Sequence, residues 1–241
     1  MHPVQDEAAL RRDLAAAYRL AANFQWDDTI YTHFSVRLPG AEPRFLINPF
    51  GMMFEEIRAS DLIVVDMHGK VIGDSPCNVA GFTIHSAVHM GRDDAHCVIH
   101  THTLAGMAVA ALDEGLLQLN QISAEFHGNL GYHDYEGIAL DLGERERIVA
   151  SLGQHPALIL RHHGLLTVGA TVADAFYTMF YLNRACEIQQ AVLGMNPHPR
   201  MIPEALSAHA ERQFAKAVGE RQILWQAWLR KLERLDPSYK E

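Results

Sequence analysis

His100-Thr101-His102 sets two imidazoles two residues apart at the end of an apolar run, Cys97-Val98-Ile99, that reads as a β-strand. Residues i and i+2 of a strand share a face, so the two rings project together. A divalent metal needs that convergence, because its bonds to imidazole nitrogen are only about 2.0–2.1 Å long. A third ligand is on offer in Leu160-Arg161-His162-His163-Gly164, a strand end that turns on a glycine. Three neutral imidazoles with one position open make a catalytic type of centre, not a closed structural one. Spacing alone leaves a rival reading open, in a chain with 15 histidines: two half-buried rings bonded to backbone carbonyls.

Other clusters carry weaker signals. His85 and His89 lie four apart on an expected helix and could pair, but the plainer expectation is one buried and one solvated. Gly131-Tyr132-His133-Asp134-Tyr135-Glu136-Gly137 is too rich in titratable groups for an ordinary connector. It is either a hydrogen-bonded turn with aromatic ends or part of a site. Glu55-Glu56 reads as a solvated helix face, and Trp225 with Trp228 as a packing or subunit contact.

The elements that must position these residues follow from periodicity and punctuation. A helix is expected from about Gln5 to Phe24, with Leu10, Leu14, Tyr18 and Ala21 on one face, ended by Asp27-Asp28. Strands are expected at Phe34 to Leu38, Phe45 to Asn48, Leu62 to Asp66, His96 to His102, Ala157 to Arg161 and Leu165 to Val168. Helices are expected over Gly81 to Gly91, Leu104 to Leu112, Val172 to Leu193 with Thr171 as cap, and Glu204 to Leu235.

Composition narrows the classes. With 241 residues, 49% of them hydrophobic and 20% charged, the chain suits one domain or a domain with a short appendage, and needs no disulfide to complete its core. The net charge of -9 argues against nucleic acid or an anionic membrane as partner. Cys77, Cys97 and Cys186 are odd in number and far apart, so neither a disulfide framework nor a cysteine zinc site is indicated. Arg11, Arg12 and Asp13 interrupt the N-terminal apolar residues, so no signal peptide is expected. The apolar run Leu104 to Leu112 is too short to span a bilayer. A cytoplasmic setting is the expectation.

From Ile30 to Met195 the sequence resembles the class II aldolase/adducin family, nearest to the adducin head and its bacterial relatives. The matching segments are Asn78 to Ala87, His100-Thr101-His102-Thr103, Tyr132 to Gly137, Ile159 to Leu165, and Ala173 to Tyr177 through Ala185 to Ile188. The resemblance implies an α/β fold: a three-layer α/β/α architecture around a central, mostly antiparallel sheet. It implies a domain over 1–200 and a helical extension over 201–241 that packs on the domain or on a neighbouring subunit. It also implies a homotetramer and a divalent metal on His100, His102 and His163, with zinc foremost and manganese or iron as alternatives. Tyr132 matches a tyrosine that helps protonate or position substrate, and His133 and Tyr135 stand beside it. His33, Asn48, Gly51 and Gly81 fall at substrate-facing positions.

The departures point away from the family's sugar phosphates. Aligned on His85, the Pro-Ser-Ser-Glu motif reads Asn78-Val79-Ala80-Gly81, so the catalytic glutamate is a glycine and both phosphate-binding serines are gone. Pro-Ser-Gly reads Pro49-Phe50-Gly51, and Gly-Asn-x-Ser reads Thr32-His33-Phe34-Ser35. A phosphate needs several fixed donors. The expected function is a metal-dependent lyase, decarboxylase or aldolase, acting on a non-phosphorylated keto or hydroxy carboxylate. The alternatives are an iron oxygenase on the same histidines and a non-catalytic adducin-like assembly module.

Overall fold

The computed structural model describes residues 6–73, 76–139 and 141–241. Residue 5, where the first helix was expected to begin, lies outside them. Among the described residues eight strands form one sheet: β1 (His33–Arg37), β2 (Arg44–Ile47), β3 (Ile63–Asp66), β4 (Val71–Ile72), β5 (Cys97–Thr101), β6 (Leu130–His133), β7 (Ala157–Leu160) and β8 (Gly164–Gly169). Their order is β4-β3-β2-β1-β5-β8-β7-β6. Every named pair is antiparallel except β6 with β7.

Helices cover both faces, which is why all five residues of β5 are buried, polar ones included. On one face α1 (Glu7–Asn23), α3 (Leu104–Ala110), α6 (Val172–Met195) and α8 (Gly219–Leu235) share a core with Phe34, Ile99, Ile159 and Leu165. On the other, α2 (Val79–Gly91) and α5 (Glu144–Leu152) pack Ile84, Val88 and Ile148 against Val98, Leu158 and Leu166. The alternation of Val98 and Ile99 between these cores puts His100 on the α2 side. This is the three-layer α/β/α architecture with a mostly antiparallel sheet. A short α4 (Gln121–Ala124), α7 (Glu204–Phe214) and a 3-10 turn, Pro237–Lys240, complete the described elements. Among the described residues no helix is long and apolar enough to cross a membrane.

The structure corrects two readings of the elements. The tail is two helices, α7 and α8, not one. Only α8 carries an aromatic stripe to bury, and Trp225, Trp228 and Leu232 are its buried residues, whereas α7 buries Ser207 alone. Trp228 lies 5.2 Å, centroid to centroid, from both Phe176 and Phe180, so it packs on its own chain. The polar segment around Tyr132 holds a strand, β6, that its short pattern did not announce. Parallel pairing with β7 makes it one.

Candidate metal centre

The strand pattern delivers the first two imidazoles as expected. His100 is buried at the end of β5 and His102 lies half-buried one step beyond, their Nε2 atoms 3.0 Å apart. Two nitrogens bound near-tetrahedrally at about 2.0–2.1 Å would stand roughly 3.3 Å apart. The ligand nitrogens of His100, His102 and His163 all lie within 4.8 Å of one another. His163 reaches them from the β7–β8 turn. There His162 takes a positive φ of 56°, and a Cβ on Gly164 would overlap the Thr101 carbonyl oxygen. Only a glycine lets β8 begin that close to β5.

The outer ring nitrogens settle the tautomers. His100 Nδ1 lies 2.9 Å from the Leu165 carbonyl oxygen, and His102 Nδ1 lies 2.9 Å from Asp28 Oδ2. Both partners can only accept, so both Nδ1 atoms carry the proton. With Nδ1 engaged on both rings, the two Nε2 atoms are the ones left facing each other, 3.0 Å apart, where a shared cation would sit. Carboxylate- and carbonyl-buttressed imidazoles are the usual support of a bound metal, and the donor set fits a divalent ion. Burial, with the neighbouring imidazoles second, holds His100 well below the ordinary histidine range and His163 at about 4, so these rings are neutral.

Beside the centre stands His33, paired across the sheet with His100, their ring centroids 5.2 Å apart. Its ring lies against Gly81, where a Cβ would come within 2.5–2.9 Å of three ring atoms. From His33 a hydrogen-bonded chain runs inward: Nδ1 to His85 Nε2 at 2.9 Å, His85 Nδ1 to Ser35 Oγ at 2.5 Å, Ser35 Oγ to His89 Nε2 at 2.7 Å, and His89 Nδ1 to the Ala95 carbonyl at 3.1 Å. Both helical histidines are buried, which corrects the expectation of one buried and one solvated. Together they satisfy Ser35 on the face of β1 that α2 covers.

On the other flank a cleft is lined by His133, Tyr135, Glu136, Glu144, Arg161 and His163. His133 Nδ1 lies 3.0 Å from Ser151 Oγ and Nε2 lies 3.4 Å from Glu144 Oε1. Tyr135 is exposed at the rim.

Two expected site residues are turned elsewhere within the chain. Tyr132 alternates away from His133 and packs with the α1/α6 core. Its hydroxyl accepts from Leu116 N at 3.1 Å, and the Arg161 guanidinium stacks on its ring. Asn48 accepts from the buried Tyr18 hydroxyl at 2.7 Å. Gly51 lies in an exposed turn at φ 104°, with open space around it. The residues that sequence reasoning missed are Asp28, Ser35, Ser151 and Glu144. Ser35 could have been found from its i, i+2 spacing to His33. Asp28 gave no local signal, because its partner lies 74 positions away.

Comparison with known proteins supplies a family. Residues 12–190 match the family described as class II aldolase and adducin N-terminal domain. A Caulobacter vibrioides protein described as a putative aldolase class 2 protein is 52% identical over 233 residues, 95% of this chain and 91% of its own. Among solved structures, an aldolase II superfamily protein from Pseudomonas syringae superposes with a TM-score of 0.93 at 46% identity, covering 100% of this chain and 98% of the other. One described as an L-fuculose 1-phosphate aldolase, from Glaciozyma antarctica, gives 0.85 at 30% identity, covering 98% and 93%.

Proposed function

The chain belongs to the class II aldolase and adducin N-terminal domain family, and on that premise we propose that it is a metal-dependent lyase acting on a non-phosphorylated hydroxy or keto carboxylate. The observation that carries the reading is the convergence of the ring nitrogens of His100, His102 and His163, all within 4.8 Å of one another, with the first two facing each other at 3.0 Å. We assign these three residues as ligands of a divalent ion, zinc first. When bound, the ion supplies Lewis acidity toward a substrate oxygen, and so eases formation of an anion next to a carbonyl.

The remaining chemistry falls to the chain. To His133, held between Ser151 and Glu144 in the cleft that His163 also lines, we assign the return of a proton to the carbon that loses its substituent. Tyr135 closes the rim. Tyr132 holds the loop at Leu116 and does not take that role within one chain. Decarboxylation suits the site because loss of CO₂ itself leaves the electron pair on carbon, so no base is required where Gly81 has replaced the glutamate.

Several features argue against a sugar phosphate, notwithstanding the description of the Glaciozyma relative. The N–H groups of Ala80 and Gly81 at the start of α2 already donate to Asn78 Oδ1, at 3.0 and 3.3 Å. Phe50 N donates to the Pro76 carbonyl. Val79, where a phosphate-binding serine would stand, is exposed. The donors that would grip a phosphate are therefore absent or spent.

The division into 1–200 and 201–241 stays part of the proposal, with the extension docked on its own domain. So do a cytoplasmic location and a homotetramer. Light scattering that gives a monomer at micromolar concentration would count against the tetramer.

The deciding experiment loads the purified protein with zinc, manganese or iron and assays ketose 1-phosphates, 3-keto acids and hydroxylated aromatic acids, each with and without O₂. One equivalent of metal is expected, lost in a His100→Ala/His102→Ala variant, with O₂-independent turnover of a carboxylic acid. Turnover of a ketose 1-phosphate at about 10⁴ M⁻¹s⁻¹ or more overturns the substrate class. Strict O₂ dependence points to an oxygenase, and no turnover with metal bound points to the assembly module.

A further inference from the structure

Resting on the reading that the three histidines hold a metal, we propose that His33 is the specificity residue of this site: a neutral, Nδ1-protonated imidazole whose Nε2 accepts a hydrogen bond from a substrate hydroxyl. The proton positions follow from the far end of the buried chain. The Ala95 carbonyl only accepts, so His89 Nδ1 carries a proton. In a neutral ring His89 Nε2 is then an acceptor, and the Ser35 hydroxyl must donate to it. Ser35 Oγ is left to accept from His85 Nδ1. His85 Nε2 is left to accept from His33 Nδ1. The last lone pair in the series is His33 Nε2.

The two helical rings that set the direction of the series are neutral. Burial, the largest cause in both cases, holds His89 at about 3 and His85 well below the ordinary range. The Arg37 guanidinium, which donates to the His89 carbonyl oxygen, adds to this at His89. His33 Nδ1 is thus committed as a donor to His85, and Nε2 is the atom that faces the site.

The atom is available. Among the described residues no hydrogen-bonding partner meets His33 Nε2, and it is not among the polar atoms sealed from solvent without a partner. It is not a member of the ligand cluster either. Its ring stands in the space that a side chain at position 81 would need. The site has thus exchanged a carboxylate on α2 for a neutral acceptor on β1. A lone pair there welcomes a hydroxyl and repels a keto or ether oxygen. This narrows the substrate class to acids that bear a hydroxyl beside the group held at the three histidines.

The test is nitrogen-15 NMR of the histidine rings in full-length protein, first stripped with chelator and then loaded with zinc. His33 is expected with its proton on Nδ1 and a bare Nε2 in both states. A proton on Nε2, an imidazolium at pH 7, or a zinc-coordinated Nε2 overturns the proposal. Ser35→Ala should let His33 populate both tautomers, and if that variant does not fold, His89→Gln serves the same purpose. An unchanged His33 in the folded variant is also fatal, because the chain would not set its proton. In the zinc form, glycolate is expected to move the His33 Nε2 resonance and methoxyacetate is not. Equal responses, or none to glycolate, count against hydroxyl recognition. Zinc content measured on the same sample separates the two readings: normal metal with the wrong tautomer defeats this inference alone, and no metal with the right tautomer defeats the metal reading alone.

Discussion

At the scale of single residues, the site's character depends on which nitrogen of each ring holds the proton, and that is decided by partners far away in sequence. Asp28 is the clearest case. It was legible only as a helix breaker, yet its carboxylate fixes the His102 tautomer from 2.9 Å. Two residues close to these histidines, Thr32 and His162, hold positive φ values of 65° and 56°, the kind of backbone strain that the surrounding structure must enforce. Asp28→Asn keeps the size but offers an amide that can swing its NH₂ toward Nδ1. Zinc affinity is expected to fall about 10–100-fold in competition with a chelating dye, with the melting curve of the metal-free protein little changed. Equal affinity in the variant would show that Asp28 is a surface ion pair and nothing more.

At the scale of elements, α2 explains why the glutamate cannot simply be restored. A side chain at Gly81 would collide with the His33 ring, so Gly81→Glu alone is expected to displace β1 from α2 and to yield no retro-aldol activity, measured on the same substrate panel. Activity in the single variant would mean that His33 moves freely and is not held by its chain. The tail shows the opposite kind of economy. Trp228 touches Phe24, Phe176 and Phe180, so α8 seals the outer side of α6 within one chain. Trp228→Ala is expected to lower stability by about 3–5 kcal/mol in denaturant titration and to leave the oligomeric state unchanged. A loss of assembly without a loss of stability would place the tryptophan at a subunit contact after all.

At the scale of the whole molecule, the burial of so many neutral imidazoles ties stability to pH. His33 and His89 are held at about 3 and His163 at about 4, with His85 and His100 also well below the ordinary range, burial being the main cause throughout. Unfolding returns each to about 6.5. At pH 5 the unfolded chain then binds more protons than the folded one, and stability falls as pH falls from about 6.5 toward 4. Glu125, pushed up to about 7 by burial, works against them. These histidines, with His96 lowered as well, outweigh the one glutamate, so unfolding at pH 5 takes up protons on balance. Denaturant midpoints of chelator-treated protein at pH 7, 6 and 5 are expected to drop progressively. A flat or rising series would show that the rings are already charged in the fold.

The sequence by itself determined what local periodicity and residue chemistry can carry. His100 and His102 converge because a strand has a period of two. His163 stands beside a glycine because only a backbone without a side chain fits at that crossing. The family's segments appear in order, and the missing serines at positions 50, 79 and 80 are visible letter by letter. Tertiary structure decided what depends on contacts between distant segments. It gave His102 its carboxylate from Asp28, and it turned Tyr132 and Asn48 away, because strand alternation and the Tyr18 hydroxyl commit them to the other core. It also placed His33 in the space of the lost glutamate. No local pattern could announce that substitution: a histidine on β1 and a glycine on α2 each look unremarkable in isolation, and only the packing of helix on sheet makes one the reason for the other.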